Sequence, residues 1–122
     1  MMAEVLIVDD SATMRLAVKT ALKQAGHVVH EACDGAEALN KLKEGLKVKA
    51  IITDLNMPNM DGVTFIQSVR KLPGFKFVPI LMLTTESSME KKEEGRKVGA
   101  SGWIVKPFSP EQLLAVLKKL GV

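Results

Sequence analysis

One cysteine, Cys33, stands in the whole chain of 122 residues. That excludes an intrachain disulfide and points to a reducing compartment. Cys33 falls in a strand-like apolar stretch and reads as a small buried hydrophobe, not a nucleophile. Histidine is almost as scarce. His27 and His30 lie at the start of or along the second strand, away from every motif below, and read as structural. No apolar run approaches the roughly twenty residues needed to cross a bilayer. The start, Met1-Met2-Ala3-Glu4, lacks a charged leader and a cleavage pattern, so neither export nor a membrane partner is expected, and the expected location is the cytoplasm. There is also no basic block. The net charge is +3, with lysines scattered along the helical stretches, which reads as a solvated surface and not as a nucleic-acid-binding face.

What remains is an ordinary globular composition, 47% apolar and 25% charged, at a length that suits one domain over residues 1–122 and buries a core without staples. Short apolar runs alternate with amphipathic stretches. Val5 to Val8 ends in Asp9-Asp10, and Val28-Val29 opens a weaker run. Ala50-Ile51-Ile52 ends at Thr53-Asp54, Pro79 to Leu83 ends at Thr84-Thr85, and Trp103-Ile104-Val105 ends at Lys106-Pro107. Continuous apolar runs suit strands buried on both faces, as in a parallel sheet. Between them, Met14, Ala17, Val18, Ala21, Leu22 and Ala25 share one helical face, with Gly26 as stop. Ala38, Leu39, Leu42 and Leu46 mark a second helix, and Phe65, Ile66, Val69 and Leu72 a third. Leu113, Leu114, Val116, Leu117 and Leu120 mark the last, opened by Ser109 as cap and Pro110 in the first turn. A helix over Ser87–Val98, capped by Ser87 or Ser88, has Met89 and Val98 as almost its only apolar anchors and carries Gly95, which costs about 1 kcal/mol against alanine. It is expected to be the most weakly held element. Five βα units predict an α/β fold: a doubly wound, five-stranded parallel sheet with helices on both faces and ligands beyond the carboxyl ends of the strands.

The polar residues at those ends carry the chemistry. Asp9 and Asp10 end the first strand, Asp54 the third, Thr84 the fourth and Lys106 the fifth. If the first and third strands are neighbours, about 5 Å separates their ends and three carboxylates converge. Charges so close repel, and one carboxylate takes up a proton unless a cation intervenes. An oxygen-only site with few protein ligands suits Mg²⁺. Asp54 is then a candidate nucleophile that forms an acyl phosphate, with Thr84 and Lys106 binding the outer phosphoryl oxygens. Taken singly, each residue has a plainer role as helix cap or turn residue. The specific signal is their presence at one edge of one sheet.

Five stretches complete the pattern: Leu6-Ile7-Val8-Asp9-Asp10-Ser11; Thr53 through Gly62, with Asn56, Met57-Pro58-Asn59 and Met60-Asp61 between; Leu83-Thr84-Thr85; Gly99-Ala100; and Lys106-Pro107-Phe108. Over its whole length the chain resembles bacterial response-regulator receiver domains, and among them the stand-alone chemotaxis regulators. The resemblance implies the flavodoxin-like (βα)5 fold with strand order 2-1-3-4-5. It implies phosphorylation on Asp54 by a sensor histidine kinase, and Mg²⁺ held by Asp9, Asp10, Asp54 and the backbone carbonyl of Asn56. It also implies a switch through Thr84 and an aromatic residue on the fifth strand, here Trp103, and a cis peptide before Pro107. Asn56, Thr85 and Glu86 occupy positions that tune the lifetime of the phosphorylated state. Trp103 and Thr85 are bulkier than the family's usual residues there. The output face would be the fourth helix, fifth strand and fifth helix, with the weakly anchored helix as its mobile part. Expected partners are the kinase and a target, a flagellar motor switch or phosphatase. The protein is expected to be a monomer, with a phosphorylation-dependent dimer through that face as the alternative. Since no effector segment follows Val122, DNA-binding output is not expected. It would be a phosphoacceptor switch and not an enzyme acting on other substrates. A phosphorelay carrier or phosphate sink is the alternative within the same chemistry. A domain binding FMN is the alternative outside it, disfavoured because Asp9 and Asp10 stand where a phosphate-cradling loop would be. A hydrolase with Asp54 as nucleophile lacks a general acid and a lid.

Overall fold

The computed structural model describes residues 3–85 and 89–122. Five strands and five helices alternate: β1 (Glu4–Val8), α1 (Ala12–Gln24), β2 (Val28–Ala32), α2 (Gly35–Lys43), β3 (Ala50–Asp54), α3 (Gly62–Arg70), β4 (Ile80–Thr84), α4 (Met89–Val98), β5 (Gly102–Val105) and α5 (Pro110–Lys119). The sheet is parallel throughout, in the order β2-β1-β3-β4-β5. β1 therefore sits between β2 and β3, with Val8 level with both Ala32 and Thr53. The strand order reverses between β1 and β3, which is where an open α/β sheet leaves a crevice.

The apolar runs form strands because both of their faces are covered. Every residue of β3 and β4 is buried. On one face, Leu6, Val8, Ile51, Ile80 and Met82 pack with Phe65, Ile66 and Val69 of α3 and Leu39 and Leu42 of α2. On the other, Val5, Ile7, Ile52, Leu81, Leu83 and Ile104 pack with Val18 and Leu22 of α1 and Leu113 and Leu117 of α5. Local polar residues set the helix starts. The side chains of Ser11, Asp34, Asp61 and Ser109 accept hydrogen bonds from the backbone N–H groups of Met14, Glu37, Thr64 and Gln112. Each satisfies one of the N–H groups that a helix start leaves without a partner.

Several expectations are corrected. Cys33 is exposed, not buried. β2 is an edge strand that stops at Ala32, and Cys33 lies in the turn before the Asp34 cap, its thiol donating to Glu37 Oε2 at 2.7 Å. Met89 is no anchor for α4, being 71% exposed. The buried residue of α4 is Gly95, where a Cβ would come within 2.4 Å of Met82 Cε, so this glycine allows the helix to approach the sheet. Ala17 and Ala25 face solvent, and Leu46 packs on the core from the loop after α2. The proposed caps Ser87 and Ser88 fall outside the described residues. His27 is structural as expected, its Nδ1 accepting from the Ala3 N–H at 3.1 Å. No helix among the described residues is long and apolar enough to cross a membrane.

Candidate functional site

Parallel pairing delivers the strand-end residues to one rim. Asp54 and Thr84 are the last residues of β3 and β4, Asp9 follows β1, and Lys106 follows β5. Asp9, Asp54 and Thr84 are buried, and Asp10 is exposed. One carboxylate oxygen from each of Asp9, Asp10 and Asp54 lies within 4.8 Å of the others. Lys106 crosses from the far strand and is the cation between them. Its Nζ lies 3.2 Å from Asp9 Oδ2 and 3.4 Å from Asp54 Oδ1.

Backbone groups orient the carboxylates. Asp9 Oδ1 accepts from the Ser11 N–H at 2.9 Å, and Asp54 Oδ1 from the Leu55 N–H at 2.8 Å. Burial pushes the Asp54 carboxyl above the usual carboxylate range, with the Asp9 charge adding to it, while Lys106 and the Leu55 N–H pull the other way. One ammonium does not offset burial together with a neighbouring carboxylate, so the site as it stands is short of positive charge. The donor set is all oxygen, which fits a hard divalent cation and not zinc.

Asn56 is exposed in the loop after β3 and lines a polar cleft of about 200 Å³ shared with Asp61, Thr64, Lys91 and Glu94. Thr85 is exposed just past Thr84, and Glu86 falls outside the described residues. Trp103 lies on β5 with its side chain partly exposed, and Lys92 Nζ of α4 sits 5.1 Å from its ring centroid. The ring therefore faces α4 and solvent, not the interior. The peptide between Lys106 and Pro107 is cis.

Two features escaped the sequence reading. Gly62, the first residue of α3, packs directly on the Asp54 loop. A Cβ there would come within 2.5 Å of the Asp54 carbonyl and 2.8 Å of Leu55 Cα, and the Gly62 N–H donates to the Leu55 carbonyl at 2.7 Å. Asn59, at φ 69°, donates to Asp34 Oδ2 at 2.9 Å, which ties the loop after Asp54 to the start of α2. A conspicuous glycine two residues before Thr64 was the available signal for the first. Nothing in the order of residues pairs Asp34 with Asn59.

Comparison with known proteins agrees with this fold. A family model described as the response regulator receiver domain matches residues 5–118. The chemotaxis protein CheY1 of Helicobacter pylori is 42% identical over 111 residues, covering 90% of each chain. The CheY homolog of Campylobacter jejuni is 41% identical over 90% of this chain and 85% of its own. The structure of the chemotaxis response regulator CheY4 of Vibrio cholerae superposes with a TM-score of 0.92 at 52% identity, covering 98% of this chain and 99% of that one. From fold, strand-end residues and relatives together, this chain belongs to the response regulator receiver domain family and is CheY-like.

Proposed function

We propose that the protein takes a phosphoryl group from a phosphohistidine of a sensor kinase onto Asp54 and so changes the surface it offers to a target, in chemotaxis or motility. One observation carries this reading: Lys106 bridges Asp9 and Asp54 in a rim that holds three carboxylates. A carboxylate oxygen of Asp54 attacks phosphorus, the P–N bond breaks, and the imidazole, already protonated on its other ring nitrogen, departs with the electron pair as a neutral ring. The product is an acyl phosphate. Mg²⁺ held by Asp9, Asp10, Asp54 and the Asn56 carbonyl would offset the charge of the transferred group. Leu55 and Lys106 hold the Asp54 carboxylate in one orientation. Such positioning supplies a large part of the rate in phosphoryl transfer. Lys106 then turns from carboxylate to phosphoryl oxygen, and the Thr84 hydroxyl binds a second. Movement of Thr84 releases Trp103 from Lys92 and lets the α4–β5–α5 face change. That face would receive the target, a motor switch or phosphatase, or pair with a second copy. Asn56 and Thr85, and Glu86 by its place two residues after Thr84 in the sequence, set the lifetime of the acyl phosphate.

The test uses acetyl phosphate with Mg²⁺, followed by intact mass and the fluorescence of Trp103, the only tryptophan. The wild type gains one phosphate and its fluorescence changes, whereas Asp54→Asn gains none. Label on another residue, or labelling that persists in excess chelator, overturns the reading. Pull-down with motor switch proteins, with and without phosphate, separates a motor output from a relay or sink.

A further inference from the structure

In a parallel sheet all strands begin at one end, and the helices that connect them finish there. At that basal end, opposite Asp54, every helix carries a basic last turn: Lys23 on α1, Lys41 and Lys43 on α2, Arg70 on α3, Arg96 and Lys97 on α4, Lys118 and Lys119 on α5. Helix dipoles account for this set, because a cation near a helix C-terminus is stabilised by about 0.3–1 kcal/mol. They do not account for Lys47, Lys49 and Lys76, which lie on the loops leading into β3 and β4. Nor do they account for Phe77, a large apolar side chain left 86% exposed beside them.

These two loops border two hollows that are open to solvent. One, of about 480 Å³, lies between Val48, Lys49, Lys76, Phe77, Val78 and Pro79. The other, of about 350 Å³, lies between Leu42, Lys43, Leu46, Lys47, Leu72 and Pro73. Each has apolar walls and lysines among them. Segments 43–49 and 71–79 hold five lysines (Lys43, Lys47, Lys49, Lys71 and Lys76) against one acid, Glu44. None of the five is in an ion pair among the described residues. Lys76 instead lies 5.7 Å from the Phe77 ring centroid. Arg70 does not join them. Its guanidinium turns inward and donates to the carbonyls of Phe75, Val78 and Gly99, which shapes the second loop.

We propose that this end is a docking groove for an acidic segment of a partner protein, an extended stretch whose carboxylates flank an apolar side chain. The unpaired lysines supply the complementary charge, and the walls of Val48, Phe77 and Pro79 take the apolar side chain. Concave apolar walls favour an inserted side chain over a flat headgroup layer. Point-charge lysines with one aromatic ring, lacking a guanidinium fork or a stacking platform, suit carboxylates better than a nucleic acid. The groove lies roughly 16 Å from Asp54, the length of β3 at about 3.3 Å per residue. Binding there is therefore independent of phosphorylation and leaves the α4–β5–α5 face free.

Fluorescence anisotropy with a fluorescein-labelled acidic nonapeptide, carrying Leu-Phe at its centre, tests this at low ionic strength. The peptide binds saturably and shifts backbone amides in 46–49 and 74–79. The double variant Lys49→Glu/Lys76→Glu weakens binding by about tenfold or more, equivalent to about 1.4 kcal/mol. Phe77→Ser weakens it measurably and separates the apolar contribution from the field. All three side chains are exposed, and unchanged melting curves verify the fold. Asp54→Asn binds like wild type, so the outcome does not depend on the phosphorylation reading. Absence of saturable binding overturns the proposal. So does equal binding by the lysine variant, by Phe77→Ser, or of an all-acidic peptide without the apolar pair. Tighter binding to phosphatidylglycerol vesicles, or to a duplex oligonucleotide of equal charge, assigns the face to a different partner and overturns it as well.

Discussion

Lys106 brings one positive charge to a rim of three carboxylates. Two unit charges 4.8 Å apart repel by roughly 3–4 kcal/mol at an effective dielectric constant of about 20, so a single ammonium does not balance the set. Burial and the Asp9 charge accordingly raise the Asp54 carboxyl above its ordinary range. A raised carboxyl means that the folded state holds a proton which the unfolded state has already lost. The favourable contribution is present at low pH and is lost as pH rises through the folded value. In excess chelator, Asp54→Asn is therefore more stable than wild type at neutral pH, by about 1–2 kcal/mol, a fraction of one such repulsion. The difference shrinks as pH falls into the ordinary carboxylate range. Urea unfolding of both proteins across that range measures it, and a difference that stays constant or grows in acid contradicts the electrostatic account. The strand-end residues were legible because a polar residue that follows an apolar run in a parallel sheet has one place to go, the carboxyl edge. Cys33 was misread because β2 is an edge strand with mixed burial, and no change of composition between Glu31 and Asp34 marks where it stops. The Asn59–Asp34 bond joins two loops 25 residues apart and has no local signature.

At the scale of elements, nine of the ten element cores follow from apolar periodicity and the sheet order from the family resemblance, and α4 is where periodicity runs out. Its composition offers a helix with little to hold it, and among its described residues only Gly95 is buried, with Val98 the one apolar side chain that is partly so. Gly95 reads as a defect from propensity alone. In the fold it is the point of closest approach to β4, with Met82 Cε and Sδ at 2.4 and 2.5 Å from where a Cβ would stand. Two effects then compete in Gly95→Ala. Helix propensity favours alanine by about 1 kcal/mol, while overpacking against a buried methionine costs typically 1–3 kcal/mol. Met82 is flexible but only 1% exposed, so its displaced end has little room. We expect a net loss of about 1 kcal/mol in denaturant unfolding. In a Met82→Val background, which removes both offending atoms, the same substitution becomes stabilising by about 1 kcal/mol. A loss of equal size in both backgrounds rules out the Met82 contact as the cause. The basal lysines escaped sequence reading for a related reason. They look scattered along the chain, and only the common direction of the helices and loops gathers them at one end.

The molecule as a whole is electrically divided. Carboxylates of Asp9, Asp10 and Asp54 crowd the carboxyl rim, and lysines occupy the opposite end. The rim carboxylates come from β1 and β3, whose pairing lies at the centre of the sheet. Their repulsion therefore acts on the middle of the fold and not on a fraying edge, and relief of it should be felt by global unfolding. A divalent cation that binds the folded rim and not the unfolded chain stabilises by mass action, about 2.7 kcal/mol at one hundred times its dissociation constant. In a domain of this size that corresponds to a rise of roughly 10 °C in melting temperature. The protein should melt higher with increasing Mg²⁺, along a curve that follows the logarithm of concentration once the site is full, and chelator should reverse it. Asp54→Asn removes one of the three carboxylates that would hold the cation, and with it a buried charge that lies beside Asp9. It should therefore start higher in chelator and gain less from Mg²⁺. The two melting curves then converge or cross as Mg²⁺ rises. Parallel curves would mean that the cation acts by general screening over the surface, because screening does not require the Asp54 carboxylate.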